Sequence, residues 1–137
     1  MLSYTIAFIV FFIDQITKLI VSSNFKLGES VPVILNIFHL TYAHNKGISF
    51  GVFQNLDMPK IIIAITIIII LFLVFFKDKI FHKCLSSDIF FGLILGGAIG
   101  NLIDRLRFAY VIDFFDFLIW PIFNVADSAI SVGVIGV

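Results

Sequence analysis

Two acidic residues near the end of the chain, Asp113 and Asp127, have the residue type that peptide hydrolysis by an aspartyl pair requires. When two carboxyl groups lie close together, one keeps a proton because both cannot ionise at once, and they titrate as a coupled pair. The ionised group can take a proton from water while the protonated group polarises the peptide carbonyl. Two cations, Lys18 and Arg105, are too few to pair with every carboxylate expected nearby. One acid of the pair is therefore expected to hold a proton at neutral pH.

A second group of polar residues lies in or beside apolar stretches, where each charge costs about 2.5 to 3.5 kcal/mol to insert into a membrane. Asp14 and Lys18 are four residues apart and share a helix face, which predicts a self-neutralising structural ion pair. Asp104 and Arg105 stand at the end of another helix, where they could pair with each other and complement the helix dipole, or serve the site. Neutral amides that could orient a substrate without adding charge are Asn45, Asn101 and Asn124.

The composition shows which kind of protein must position these groups. Of the 137 residues, 61% are apolar and only 13% are charged, and nine acids balance nine bases. With a mean hydropathy of +1.15, the chain is a membrane protein, because a soluble domain has about a quarter of its residues charged. Zero net charge without a basic run argues against nucleic-acid binding, and the 18 Phe argue against disorder. The single cysteine, Cys84, excludes a disulfide within the chain.

Four apolar stretches predict an all-α membrane protein, a single domain over 1–137 with four transmembrane helices. The expected helices cover about 4–21, 61–76, 89–104 and 121–137. The second stretch is short for a membrane, and Lys60 and Lys77 at its ends can snorkel to the two interfaces. No polar or basic tail follows Val137, which suggests a truncated sequence.

The helix ends and one packing face also have signals in the sequence. Ser86, Ser87 and Asp88 are good N-cap types before the third helix, and Pro121 suits the first turn of the fourth. Glycines recur every four residues along the third helix and would let another helix backbone approach closely. These glycines are Gly92, Gly96 and Gly100.

The loops predict the orientation of the chain in the membrane. The first gap, about 22–58, contains strand-like runs at 31–35 and 37–43, which predict a small extracytoplasmic β-cradle. The second gap carries Lys77, Lys79 and Lys83 and is cytoplasmic by the positive-inside rule. Both termini are then cytoplasmic as well. The polar groups are expected to meet at one depth near the outer surface, where the segment 104–120 is expected to be a loop.

Other interpretations of the sequence compete with the aspartyl pair. Residues 47–51 read G-I-S-F-G, which matches the nucleophile-elbow pattern and makes Ser49 an alternative nucleophile. No histidine follows the candidate acids, however, and His39 with His44 lacks the spacing of a zinc site. The same aspartates could instead carry protons in a proton-coupled membrane carrier. A non-catalytic lipid-binding or assembly subunit that uses the glycine face is a third class.

Five short stretches, in order and over nearly the whole chain, resemble the bacterial lipoprotein signal peptidases, also called signal peptidase II. They are D-Q-I-T-K at 14–18, N-K-G-I-S-F at 45–50, G-G-A-I-G-N-L-I-D-R at 96–105, V-I-D-F at 111–114 and F-N-V-A-D at 123–127. The resemblance implies a four-helix aspartyl peptidase of the bacterial plasma membrane, with a small extracytoplasmic β-cradle and an outer amphipathic segment. The chain departs from the family pattern at its C-terminus, where the fourth helix ends early.

The resemblance also implies a substrate and a set of site residues. Family members cleave the signal peptide from prolipoproteins, N-terminal to a cysteine that already carries a diacylglyceryl group. The catalytic pair falls on Asp113 and Asp127. Supporting and substrate-positioning residues fall on Asp14, Lys18, Asn45, Gly47, Asn101, Asp104, Arg105 and Asn124. We expect a monomer in contact with membrane lipids, with no metal, organic cofactor or nucleic acid.

Overall fold

The computed structural model of the chain describes residues 1–47, 58–81 and 84–137. In chain order, their helices and strands are α1 (Leu2–Asn24), β1 (Ser30–Ile34), β2 (Phe38–Asn45), α2 (Met58–Phe75), α3 (Lys77–Ile80), α4 (Leu85–Phe108), β3 (Val111–Asp116) and α5 (Val125–Gly136). The strands form one antiparallel sheet in the order β1-β2-β3. The four predicted helices and two predicted strands are present with shifted ends, whereas β3 and the single-turn α3 were not predicted.

Within the described residues, three helices, α1, α2 and α4, are long and apolar enough to cross a membrane. They contain 23, 18 and 24 residues. Among the described residues, no side chain of α2 is fully buried. The remaining apolar helix, α5, has 12 residues, which is about 18 Å at 1.5 Å per residue. The prediction of four full spans therefore holds for three helices, and α5 is shorter than the predicted stretch 121–137.

The start of α5 differs from the prediction because the residues before it are held by the sheet. The Phe123 N–H donates to the Phe115 carbonyl at 3.1 Å, and the Phe123 carbonyl accepts from the Phe115 N–H at 2.8 Å. The chain is extended at this point, and Asn124 is the N-cap of α5. Pro121 therefore precedes the helix, and our prediction that it lies in the first turn is wrong.

The start of α4 is earlier than predicted, with Cys84 as its N-cap. The predicted caps, Ser86 to Asp88, lie inside the helix, and Asp88 has another role. Its Oδ1 accepts a hydrogen bond at 2.8 Å from the Nζ of Lys77, which also donates to the Ser3 hydroxyl at 2.7 Å. Lys77 thus links the first turns of α1 and α4 at the end of the molecule opposite the sheet. Lys83, which the sequence analysis placed with Lys77 in the cytoplasmic gap, lies outside the described residues.

The centre of the molecule is a close packing of α4 against α1 on one side and against α5 on the other. Gly92, Gly96 and Gly100 face α1, as their spacing predicted, and a Cβ at Gly96 would lie 2.5 Å from a backbone carbonyl oxygen of α1. Gly97, which we had not singled out, faces α5, where a Cβ would collide with a backbone carbonyl oxygen. Because a methyl group fits at neither contact, glycine allows the short distances between these helices.

The third strand, β3, lies in the segment that we expected to be a loop, and this expectation is wrong because the segment pairs with β2. In the register of the pair, Asp113 lies opposite Ala43 and Val111 lies opposite Asn45. Residues two apart in a strand point to the same face, so Asp113 and Asn45 share one face of the sheet. A buried cluster joins the sheet to the end of α1 and consists of Val21, Tyr42, Ile112 and Phe114.

Candidate active site

The two candidate aspartates are joined through a single residue, Asn124. As the N-cap of α5, Asn124 accepts a hydrogen bond from the Asp127 N–H at 2.9 Å, and its own N–H donates to Asp127 Oδ2 at 3.3 Å. Its side-chain Nδ2 donates to Asp113 Oδ1 at 2.7 Å. A helix cap with this reciprocal pattern is a local feature of the sequence, but here it also brings the carboxylates of β3 and α5 to one place.

Asp113 lies on β3 and is 2% exposed. Asn45 of the neighbouring strand donates from Nδ2 to Asp113 Oδ2 at 2.9 Å. Burial raises the pKa of Asp113 from its usual 3.8 to about 6; the hydrogen bond from Asn45 acts in the opposite direction, and the nearby charge of Asp127 adds to the rise. Desolvation disfavours the charged form of a carboxyl group, so Asp113 holds a proton in a pH range where an exposed aspartate is ionised.

Gly47 orients the amide of Asn45. The Gly47 N–H donates to Asn45 Oδ1 at 2.8 Å, which leaves the Nδ2 of the same amide to face Asp113. Gly47 has a φ of +94°, a conformation that glycine adopts at little cost and side-chain-bearing residues rarely adopt. The chain therefore needs glycine here to turn the amide donor toward the carboxylate.

Asp127, on the first turn of α5, is bound from α4. Asn101 donates from Nδ2 to Asp127 Oδ1 at 2.7 Å. The oxygen of the same amide accepts from Lys18 Nζ at 3.0 Å and from Asn124 Nδ2 at 3.1 Å. Asn101 thus connects the cation of α1 to a candidate catalytic carboxylate, and its two roles use both ends of the amide.

Lys18 forms two buried ion pairs. Its Nζ lies 2.8 Å from Asp14 Oδ2, which confirms the predicted pair, and 2.9 Å from Asp104 Oδ2. Of the two roles left open for Asp104, the contacts favour membership of the site over a pair with Arg105, because Asp104 is bonded to Lys18 and also accepts from the Ile112 N–H at 3.1 Å. Lys18 is 2% exposed, and a buried charge needs partners of this kind to remain in place. The ion pairs tie α1 to α4 directly beside the aspartates.

One residue of this network was missing from the predicted site. Gln15 donates from Nε2 to Asp104 Oδ1 at 3.0 Å, to Asp14 Oδ2 at 3.2 Å and to the Gly100 carbonyl at 3.3 Å. Two features of the sequence could have indicated Gln15: its position in the D-Q-I-T-K motif and its place next to Asp14 in an apolar stretch. A buried amide in such a stretch needs hydrogen-bond partners. Asp14 itself also accepts from the N–H of Ala126 at 2.9 Å, which ties α5 to α1.

A cavity of about 470 Å³ opens beside this network, between α2, α4 and α5. Its polar end is formed by Asn101, Arg105 and Asp127, and Arg105 donates from Nη1 to the Asn101 carbonyl at 3.4 Å. The rest of its wall is mostly apolar and is formed by Thr66, Ile69, Leu73, Ile94, Ala98, Ile130 and Val134. The cavity can therefore receive the apolar groups of a bound molecule while a polar group of the same molecule lies beside Asp127.

The other candidate chemistries find little support in the described part of the chain. No three His, Cys, Asp or Glu side chains within residues 1–47, 58–81 and 84–137 are placed to hold a metal ion. His44 stacks on the Tyr110 ring at 3.7 Å and bonds the Tyr42 hydroxyl at 2.9 Å, and His39 bonds the Ser30 hydroxyl at 3.1 Å. The alternative nucleophile, Ser49, lies outside the described residues.

Comparisons with known proteins agree on one family. The sequence model described as signal peptidase (SPase) II matches residues 6–137. A lipoprotein signal peptidase of Halothermothrix orenii is 43% identical over 130 residues, which cover 95% of this chain and 88% of that protein. One of Moorella thermoacetica is 43% identical over 135 residues, which cover 95% and 85%.

Solved structures of similar fold are those of bacterial membrane enzymes. A bacterial membrane enzyme determined by the in meso method at 1.9 Å resolution superposes with a TM-score of 0.90 and 36% identity, covering 98% of this chain and 88% of the other. A second bacterial membrane enzyme, determined at 2.3 Å, has a TM-score of 0.86 and 37% identity, covering 98% and 83%. Both the helices and the small sheet of the chain therefore have the arrangement of a known membrane-enzyme fold.

Proposed function

The chain belongs to the signal peptidase II family, and from this premise we propose that it is an aspartyl endopeptidase that cleaves prolipoproteins N-terminal to a diacylglyceryl-modified cysteine. Membership of the family makes it a membrane-bound peptidase that acts on lipoprotein signal peptides. The observation that supports the aspartyl mechanism is the shared partner of the two acids: one residue, Asn124, bonds both Asp113 and Asp127. Two carboxyl groups in this relation suit a reaction in which one donates a proton and the other accepts one.

The raised pKa of Asp113 supports an assignment of roles. Asp113 carries the shared proton at the start of the reaction, which leaves Asp127 the role of proton acceptor. Asp127 takes a proton from a water molecule as the water oxygen attacks the scissile carbonyl carbon, and Asp113 gives its proton to the carbonyl oxygen. When the resulting diol collapses, a diol hydroxyl returns its proton to Asp113. Asp127 passes its proton to the leaving amine of the cysteine, so the pair returns to its starting state.

The residues around the pair supply orientation without adding charge. Asn45 and Asn101 each donate an amide hydrogen bond to one of the two aspartates. Lys18 lies against Asp14 and Asp104, so one cation offsets part of the negative charge of two further carboxylates near the pair. We propose that these residues hold the two reacting carboxyl groups in place, because a misplacement of about 1 Å can cost about 100-fold in rate.

The cavity indicates how a substrate would lie. We place the apolar residues that precede the scissile bond in the cavity between α2, α4 and α5, with the bond next to Asp127 and Arg105. The diacylglyceryl chains remain in the bilayer, which holds the bond at a fixed depth. Lipid attachment thereby replaces part of the binding energy that a water-soluble peptidase must obtain from contacts with its substrate.

The charges at the end opposite the sheet support the orientation. Lys77 and Lys79 follow α2 at that end, and lysines of short loops favour the cytoplasmic side. Ser3, near the N-terminus, bonds Lys77, and Gly136 lies against the Phe90 ring near the start of α4. We therefore propose that both ends of this chain are cytoplasmic, and that the sheet and the aspartates face the outer leaflet of a bacterial plasma membrane.

A cleavage assay tests the proposal. Purified protein in detergent is incubated with a diacylated prolipoprotein and with its unlipidated twin, comparing wild type with Asp113→Asn, Asp127→Asn, Ser49→Ala and a matched control, Asp116→Asn. Asp116 lies on the same strand as Asp113 but bonds Thr41 and the Leu118 N–H, away from the pair. We expect cleavage of the lipidated substrate alone, lost in the first two variants and kept in the last two.

Two outcomes of this assay contradict the proposal. Cleavage that survives in folded Asp113→Asn or Asp127→Asn would exclude the aspartyl pair. Loss of cleavage in Ser49→Ala, with both Asn variants active, would favour the serine nucleophile instead.

A further inference from the structure

Two exposed apolar segments of the sheet region form one surface that the proposed reaction does not use. We call it the outer apolar patch; it consists of residues 34–37, which are the end of β1 and the turn into β2, and of the loop 117–120 after β3. Ile119 is 94% exposed and Trp120 is 69% exposed in the loop, and Leu35 is 73% exposed in the turn. Phe38, which follows the turn, packs against Phe117 of the loop, with 4.9 Å between ring centres and the ring planes tilted by 33°.

The patch lacks charge entirely. Residues 34–37 read I-L-N-I and the loop reads F-L-I-W. Apolar surface exposed to water costs about 25 cal/mol per Å², and contiguous exposed apolar patches mark sites of contact with a partner or a membrane. These residues lie outside the helices that are long enough to cross a membrane. Contact of the transmembrane helices with lipid therefore does not account for them.

The position of the patch in the chain favours lipid as its partner. The loop leads directly from β3 into α5, and only four residues separate Trp120 from the first residue of that helix, Val125. The loop is thus followed in the chain by an apolar helix. Tryptophan is enriched at membrane interfaces, where the ring is apolar and the indole N–H can reach the headgroups. The residues that line the cavity beside Asp127 come from α2, α4 and α5, so the patch and the cavity are separate surfaces.

We infer that the outer apolar patch inserts into the interface of the lipid bilayer on the side of the sheet and anchors the sheet to the membrane. The anchor lies between the two candidate aspartates in the sequence, since Asp113 is on the strand before the loop and Asp127 is on the helix after it. Insertion of the loop therefore sets the depth of both acids relative to the headgroups. This consequence for catalysis rests on the proposed function, whereas the membrane contact does not.

The chain provides its own probe, because Trp120 is its only tryptophan. The protein is reconstituted in phosphatidylcholine vesicles that are either unlabelled or brominated at a shallow or a deep position of the acyl chain. We expect Trp120 emission to be blue-shifted relative to exposed tryptophan and to be quenched more by the shallow bromines than by the deep ones. Emission typical of water, with no quenching by either lipid, would overturn the inference and leave the patch to a protein partner.

A variant and a matched control show whether the whole patch inserts. Ile119→Asp places a charge in the loop at the most exposed side chain of the patch, and we expect it to lose most of the quenching of Trp120. Leu27→Asp makes the same kind of change at a residue that is 59% exposed but precedes β1, outside the patch, and should leave the quenching unchanged. Equal quenching in the wild type and in Ile119→Asp would contradict insertion of the loop, provided that both proteins have the same melting temperature.

Cleavage measurements then separate the two proposals. We expect Ile119→Asp to cleave lipidated substrate at the wild-type rate in detergent micelles and more slowly in vesicles, because only the bilayer requires a defined depth. Equal rates in vesicles would refute the control of depth. Quenching of Trp120 in a wild-type protein that cleaves no prolipoprotein would refute the proposed function and leave the membrane anchor supported.

Discussion

Replacement of Asp113 by Asn tests the electrostatics of the site through stability. A pKa raised from 3.8 to about 6 means that the folded protein binds this proton more tightly than the unfolded chain. Wild-type stability therefore falls as the pH rises through this range and remains lower above it. Each tenfold change in proton affinity is worth about 1.4 kcal/mol, so the whole effect is about 3 kcal/mol.

Asp113→Asn has no carboxyl group to titrate at this position. Its stability should therefore not fall as the pH rises through this range. The difference in the free energy of unfolding between the variant and the wild type is therefore expected to change by about 3 kcal/mol, in favour of the variant, between about pH 3 and pH 8. Reversible SDS titration in mixed micelles at several pH values measures this difference. Asp116→Asn is the control, because it makes the same chemical change on the same strand outside the pair.

The result that would refute this reasoning is a difference between Asp113→Asn and wild type that does not change with pH. Such a result would mean that the burial of Asp113 and the charge of Asp127 do not raise its proton affinity. The more stable variant should also be inactive, with cleavage at least about 100-fold slower, because proton transfer by a positioned group contributes about 100-fold or more. A variant that is both more stable and active would separate Asp113 from catalysis.

The ion pairs, the glycine contacts and the helix cap each lead to a separate expected outcome. Lys18→Met should lower the free energy of unfolding by about 3 to 5 kcal/mol, because it leaves two buried carboxylates without their counter-ion; SDS titration measures the loss, and an unchanged value would contradict the buried network. Gly97→Ala should lower both the melting temperature and kcat, since a methyl group there pushes α5 from α4. Gly92→Ala, distant from the aspartates, should lower the melting temperature alone, and equal kcat in both variants would count against a need for close packing at α5. Asn124→Ser keeps an N-cap oxygen but loses the amide donor, so it should melt near the wild-type temperature and cleave about 100-fold more slowly; wild-type cleavage would show that the amide is dispensable.

The sequence was sufficient for features that depend on neighbouring residues. Apolar length predicts four membrane-crossing helices, and three helices of the described residues are long and apolar enough to cross, because lipid favours any helix of that length and composition. The four-residue spacing of Gly92, Gly96 and Gly100 predicts a packing face, and the spacing of Asp14 and Lys18 predicts their ion pair, because a helix places such residues side by side. The signal peptidase II family was likewise identified from short motifs, and the comparisons confirm it.

Contacts between distant segments were not readable from the sequence. β3 looked like a loop because a strand is stabilised by its pairing with β2, which is more than sixty residues earlier in the chain. The sequence left the role of Asp104 open between a pair with its neighbour, Arg105, and the site, and helix packing supplies Lys18 of α1 as its partner. The start of α5 was misplaced for the same reason, since Phe123 is held by Phe115 of the sheet.

Residue types and local spacing therefore specify which groups can ionise, donate or pack, because those properties belong to the residues and to the helix repeat. The folded chain specifies which of these groups meet. It places Asn124 between the two aspartates and buries Asp113 so that its proton is retained, and both effects come from the packing of β3 and α5 against α4.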